Sequence, residues 1–168
     1  MAGKKEKTLN DLFEDGLKDI YYAEKKILVA LPKMAKAAES EELAAAFEKH
    51  KAETERQIQR LERVFDLLDQ PAKGKKCPGI EGILEEGKEI MDEFKGTPAL
   101  DAGLLAAAQA VEHYEIARYG TLIAWAQKLG LQDAADLFAE TLEEEKSTDE
   151  ALTELAEASI NQYAEAAE

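Results

Sequence analysis

Most helix-breaking residues of this chain are concentrated in one short stretch. Of its 4 prolines and 10 glycines, three prolines and six glycines lie between Pro71 and Gly103. The flanking runs are long and rich in Ala, Leu, Glu, Lys and Gln, which favour helix. Two pairs of long helices joined by an interrupted middle are therefore expected. At 168 residues the chain suits one hydrophobic core, because two would each fall near the lower size limit. A single all-α domain over 1–168 follows.

Thr8 with Asp11 reads as a cap, and Leu9, Phe13, Leu17, Ile20, Ile27 and Leu31 mark one face of a helix over about 8–38. Pro32 lies inside it, lacks an amide donor and crowds the Leu28 carbonyl, so a kink or short break belongs there. Ser40 before Glu41 and Glu42 caps a second helix over about 41–69, with Leu43, Phe47, Leu61, Val64 and Leu68 facing inward. Thr97 before Pro98 opens a third, about 98–129, which stops at Gly130. Asp133 opens a fourth, about 133–163, whose stripe includes Phe138, Leu142, Leu152, Ala156 and Tyr163.

The connection over 70–97 contains its own amphipathic piece, Ile80, Ile83, Leu84, Ile90, Met91 and Phe94. Antiparallel neighbours need only about 2 to 8 linking residues. A connection of this length instead suits a return trip along a helix of about 43 Å. It would make the second and third long helices parallel, as in ferritin-like four-helix bundles with one long crossover. A simple up-down-up-down bundle is the alternative.

Near the middle of every long helix the apolar stripe gives way to ionisable residues, joined in the second helix by a polar glutamine. Glu24 lies between Ile20 and Ile27; His50, Glu53 and Gln57 between Phe47 and Leu61; Glu112 and Glu115 between Ala108 and Tyr119; Glu145 and Asp149 between Leu142 and Leu152. These positions share one level of a bundle whichever way its helices run. Several carboxylates cannot remain anionic together in a low-dielectric core, because desolvation and mutual repulsion both oppose it. Protons compensate in part, and a pair of divalent cations does so best. Glutamate oxygens with one imidazole suit dinuclear iron or manganese; zinc prefers more nitrogen or sulfur, and no calcium loop is present. Solvated faces and ordinary ion pairs are the competing reading. Asp19 and Tyr21 are second-choice ligands, should the first helix be rotated by part of a turn.

Other features carry less. His113 falls about 100° around the helix from Glu112 and reads as a packing or interface residue. Cys77, among Lys73, Lys75 and Lys76, reads as a loop thiol without a role, with a reactive thiol as the alternative. Tyr22, Tyr114 and Trp125 are aromatics at helical spacing, which usually belong to a core. A net charge of -15 and a pI near 4.6 disfavour direct contact with nucleic acid or an anionic membrane. The single cysteine and an opening MAGKKEK with no apolar run after it point to the cytoplasm. Neither a phosphate-binding glycine loop, a nucleophile elbow nor a His-Glu-x-x-His motif is present.

DLFEDGLKDIYYAEKKI, LPKMAKAA, HKAETERQIQRLE, KCPGIEGILEEG, AAAQAVEHYEIARYGTL and AETLEEEKSTDEALTELA together cover much of the chain. They resemble the signature stretches of the YciF/YciE-like family of bacterial ferritin-like, stress-associated proteins. The resemblance implies a ferritin-like bundle, a homodimer, and rubrerythrin-like and ferritin-like structural relatives. Glu112-x-x-Glu115 with Glu145 resembles the rubrerythrin arrangement. The Glu-x-x-His pairs of such proteins are absent, with His50-x-x-Glu53 in reversed order and Thr148 where a second histidine would stand. The expected ligand set is Glu24, His50, Glu53, Glu112, Glu115, Glu145 and Asp149, holding two iron or manganese ions that act on peroxide, oxygen or ferrous ions; the redox partner is left open. A metal-free helical scaffold or interaction protein of the stress response is the rival expectation.

Overall fold

The computed structural model describes residues 6–166. The first five residues of the basic opening stretch and the last two of the acidic tail lie outside the described residues. Helix α1 spans Leu9–Ala37 and α2 spans Glu41–Leu67. The crossover helix α3 spans Pro78–Glu93, α4 Leu100–Lys128 and α5 Gln132–Leu155. Beyond α5 the chain makes one π-helical turn, Ala156–Ile160, and ends in a short α6, Asn161–Glu165.

The caps of the first two helices are those the residues announce. Thr8 Oγ1 accepts from the Asp11 amide at 3.3 Å, while Asp11 accepts from the Thr8 amide at 2.8 Å. Ser40 Oγ accepts from the Leu43 amide at 3.2 Å. Of the kink or short break expected at Pro32, the break does not occur, and α1 runs through it. Pro32 lies on the exposed face, where water can reach the Leu28 carbonyl that loses its usual donor.

The second pair of helices starts differently from expectation. Thr97 does not cap α4; its hydroxyl donates to the Phe94 carbonyl at 2.8 Å and closes the preceding turn, so α4 begins at Leu100. Asp133 does not cap α5 either, because the helix already begins at Gln132 after Gly130 takes φ 74°. The fourth helix does not continue as an α-helix to residue 163. Leu152, Ala156 and Ile160 are four apart, a row that drifts about 40° per step around an α-helix. One wider turn counters that drift and keeps Ala156 and Ile160 in the core. Tyr163, expected inside, is exposed, and so are Leu9 and Phe94.

Pairings fix the topology. Along α2 and α5, Glu53 meets Thr148 at 3.4 Å, Gln57 meets Glu144 at 3.1 Å and Arg60 meets Thr141 at 3.3 Å, so these helices are antiparallel. Asp101, at the start of α4, accepts from the Glu39 and Ser40 amides at 2.9 and 2.7 Å, where α1 ends and α2 begins. Farther along, Tyr114 reaches Asp19 at 2.7 Å. Hence α4 is antiparallel to α1 and parallel to α2, the ferritin-like arrangement with one long crossover. The four long helices contact in the cycle α1–α2–α5–α4, and α3 lies over the α1–α4 seam. The close approach of α3 to α4 needs Gly103, since a Cβ there would come within 2.6 Å of Ile90 Cγ2.

Asp101 is almost fully buried and satisfies two amides at the α2 start. Asp101→Ala should cost about 2–3 kcal/mol in urea unfolding, because both donors lose a charged acceptor. A loss below about 0.5 kcal/mol would show that water replaces it.

Candidate metal centre

Helical spacing places the site. On α1, Glu24 follows Ile20 by four residues and turns to the same buried face; on α4, Glu112 and Glu115 are three apart and stacked. His50 comes from α2 and Glu145 from α5. His50, Glu112, Glu115 and Glu145 each offer a ligand atom, and these atoms all lie within 4.8 Å of one another. His50 Nδ1 is 3.0 Å from Glu112 Oε1 and Nε2 is 3.7 Å from Glu145 Oε2. Glu24 is wholly buried beside them, and one of its oxygens accepts from the Tyr119 hydroxyl.

The hydrogen-bond account of this centre does not close. Among the described residues, the buried side-chain atoms without a hydrogen-bond partner are Glu24 Oε2, His50 Nε2, Gln57 Oε1, both oxygens of Glu112 and of Glu115, and Glu145 Oε2. Every one belongs to this layer. Orphaned buried polar atoms are otherwise costly and rare. His50 and Glu112 approach at ion-pair distance without the alignment of a hydrogen bond, so proximity alone does not satisfy them.

Titration of the group follows from its burial. Burial pushes the Glu24 carboxyl up to about 8, with the Glu145 charge adding to it and the hydrogen bond from Tyr119 opposing it. Glu112 is raised well above the ordinary carboxylate range, first by burial and then by Glu145. Glu115 is raised likewise, by burial and the charges of Glu145, Glu24 and Glu112. Burial also raises Glu145, although Gln57 donates a hydrogen bond to it. His50 moves the other way, held down to about 4 by burial with a smaller push from Lys49. At neutral pH the layer thus combines a neutral imidazole with a Glu24 carboxyl that retains its proton and three further carboxyls whose ionisation burial opposes, and a cation can offset that opposition.

The remaining candidates sit elsewhere. Glu53 is at the margin, 12% exposed, and faces Lys49, Arg56 and Thr148. Asp149 turns outward to Gln109 at 3.1 Å and to His113 at 3.2 Å. His113 is 69% exposed, which removes the packing role read for it. Asp19 accepts from Tyr114 and Tyr21 donates to Glu62, so neither enters the layer. Cys77 is no free loop thiol: it is buried, accepts the Ile80 amide as the cap of α3, and lies 2.8 Å from Tyr114 Oη.

Residues 8–165 match the family described as a domain of unknown function, DUF892. The chain belongs to this family. It is 46% identical to Protein YciF of Escherichia coli over 160 residues, 95% of this chain and 96% of that protein. The crystal structure of the E. coli stress protein YciF superposes with a TM-score of 0.88, covering 93% of this chain and 99% of that one at 46% identity. YcfI of Rhodopseudomonas palustris, described as a candidate structural protein, gives 0.86 at 45% identity over 91% and 98% of the two chains. A protein from Xanthomonas campestris gives 0.73 at 26% identity over 94% and 96%.

Within this YciF-type bundle, the part that Tyr119 takes in the centre escaped the residue pattern, and Gln57 stood in that pattern without a role. Tyr119 follows Glu115 by four residues and so shared the buried face, but its apolar ring hid the hydroxyl's task. Gln57 Nε2 donates to Glu145 and, at 3.1 Å, to Glu144, which Arg60 clamps at 2.7 Å. A glutamine one turn from Glu53 was the available signal. Its partners come from α5, 87 and 88 residues on, beyond the reach of local periodicity.

Proposed function

We propose that this protein is a ferritin-like stress-response protein that holds two iron or manganese ions and exchanges electrons with peroxide, oxygen or ferrous ions. The observation that carries the reading is the convergence of every unpartnered buried side-chain polar atom among the described residues on one layer of the bundle. Four buried carboxyls and one imidazole fit hard, redox-active cations. Glu24, His50, Glu112, Glu115 and Glu145 would hold the ions, with Glu53 and Asp149 outside the layer. When bound, such ions supply one- and two-electron exchange with oxygen species. The chain's own residues set the conditions: Gln57 orients Glu145, Tyr119 holds a hydrogen bond on Glu24, and the apolar core excludes bulk water. The family resemblance supports a homodimer, and the single cysteine supports a reducing compartment such as the cytoplasm. No helix among the described residues is long and apolar enough to cross a membrane.

Elemental analysis of protein purified without chelators from cells supplied with iron and manganese tests the reading. About two ions per chain are expected for a site of this donor number, together with a thermal midpoint that rises on adding either metal. No metal, and no uptake on anaerobic addition of ferrous or manganous ions, would overturn it. That result would favour the second reading, a metal-free scaffold whose central acids are neutralised by protons. The proton-retaining carboxyls and the description of the R. palustris relative support this alternative.

A further inference from the structure

The two ends of the layer differ in their donors. Helix α2 turns three buried polar side chains inward, His50, Thr54 and Gln57, at the spacing of one helical face. The Thr54 hydroxyl is spent on the His50 carbonyl at 3.0 Å, which leaves His50 and Gln57 to meet the layer. Register separates these two. His50 meets Glu112 on the parallel α4, so Gln57, farther along α2, is level with Tyr119, the partner of Glu24. The imidazole belongs with Glu112, Glu115 and Glu145, whose ligand atoms and its own all lie within 4.8 Å of one another. Glu24 stands outside that set, and Gln57 is the neutral donor at its level.

The amide of Gln57 is fully buried and locked in one orientation. Its Nε2 donates to Glu145 and, at 3.1 Å, to Glu144, which Arg60 holds through contacts of 2.7 and 2.8 Å. Both amide hydrogens are thus committed to carboxylates of α5, and turning the group over would set its oxygen against theirs. The oxygen on the other side of the carboxamide, Oε1, is buried and has no partner. A carboxyl in this layer can relieve itself by taking up a proton, whereas the amide oxygen takes up none near neutral pH. We infer that Gln57 Oε1 is itself a metal ligand, the sixth side chain of the centre, and serves the ion on the Glu24 side. The inference rests on the proposed metal centre. Charge supports it: the carboxylates of Glu24, Glu112, Glu115 and Glu145 balance two divalent cations, so a neutral donor completes the set without adding an unpaired buried charge. Glu53, which would add one, stays at the margin beside Lys49 and Arg56.

Metal content and thermal midpoint of the full-length protein loaded anaerobically with manganous ions separate a ligand at Oε1 from a mere donor at Nε2. Gln57→Leu should fall from about two ions per chain to about one, while Gln57→Glu, which keeps an oxygen but loses the donor, should hold about two. The metal-free midpoint of Gln57→Glu should drop, since a further carboxylate then stands against Glu144 and Glu145, and manganese should restore it. If Gln57 acts only by donating to Glu145, the order reverses and Gln57→Glu binds least. That result, or two ions held by Gln57→Leu at unchanged affinity, overturns the inference and leaves the metal centre standing. Infrared difference spectra of the wild-type protein carrying isotope-labelled glutamine decide should Gln57→Leu not fold. Coordination lowers the carbonyl frequency of one glutamine side chain on loading, and that band is missing from Gln57→Glu. An unchanged carbonyl, as for an oxygen solvated by water, overturns the ligand. Wild-type protein that takes up no ion removes the centre and this ligand together.

Discussion

Glu112→Gln lowers the metal content from about two ions per chain to about one or fewer, while making the metal-free bundle more stable. Both effects have one cause. Glu112 is buried in van der Waals surroundings that a glutamine of nearly the same shape fills equally well, and both its oxygens lack a hydrogen-bond partner. Exchange for an amide removes the charge that a cation needs. It also removes a carboxyl whose ionisation burial and the Glu145 carboxyl oppose, and the new amide can donate to that carboxyl. By analogy with replacement of buried ionic groups by neutral ones of similar volume, the gain at pH 8 is about 1–4 kcal/mol. At this chain length each kcal/mol moves the thermal midpoint by about 2–4 °C. Elemental analysis and thermal unfolding of the metal-free protein measure the two effects. Full metal content in the variant would show that Glu112 is not a ligand, and a lower midpoint would show that it makes a stabilising contact in the metal-free fold.

The stability of the metal-free protein should fall as pH rises from about 6.5 to 8, and metal should reverse the trend. Glu24 binds its proton up to about 8 when folded but only to about 4.5 when unfolded. Between those values the native state holds the extra proton, so its contribution is complete below 4.5 and lost as pH climbs through 8. Glu112, Glu115 and Glu145 act in the same direction. His50 acts oppositely: its folded value near 4 lies below the unfolded 6.5, so it destabilises the fold as pH drops through that window. The two effects oppose each other between about 4.5 and 6.5, and above 6.5 the acids act alone. Glu24 by itself shifts stability by on the order of 5 kcal/mol across its window. With metal added the carboxyls must be deprotonated to bind it, so affinity and stability rise with pH instead. Thermal midpoints from pH 5 to 9, with and without ferrous or manganous ions, display both curves. Two flat curves would mean that the acids gain and lose protons as freely folded as unfolded.

The helices were legible because their determinants are local. Thr8 with Asp11 and Ser40 with Leu43 cap as their spacing announces, and the long connection correctly implied parallel α2 and α4. Errors arose where a local rule met a non-local circumstance. Pro32 does not break α1 because its side of the helix faces solvent, and Asp149 turns to His113 because α4 presents that partner there.

The layer of acids was visible as an interruption of four stripes, since an acid in an apolar row is conspicuous whatever the fold. Which acids meet was decided by tertiary structure. A row of side chains drifts about 40° for every four residues, so one row cannot say whether Glu53 or Gln57, Glu145 or Asp149, reaches the axis. The antiparallel register of α2 against α5 settled that, placing Gln57 beside Glu145 and leaving Glu53 at the margin. Sequence alone determined the helices, their connection and the level of the site, all consequences of backbone propensity and periodicity. Packing determined which side chains meet in the layer, because that depends on the relative rotation of helices far apart in the chain.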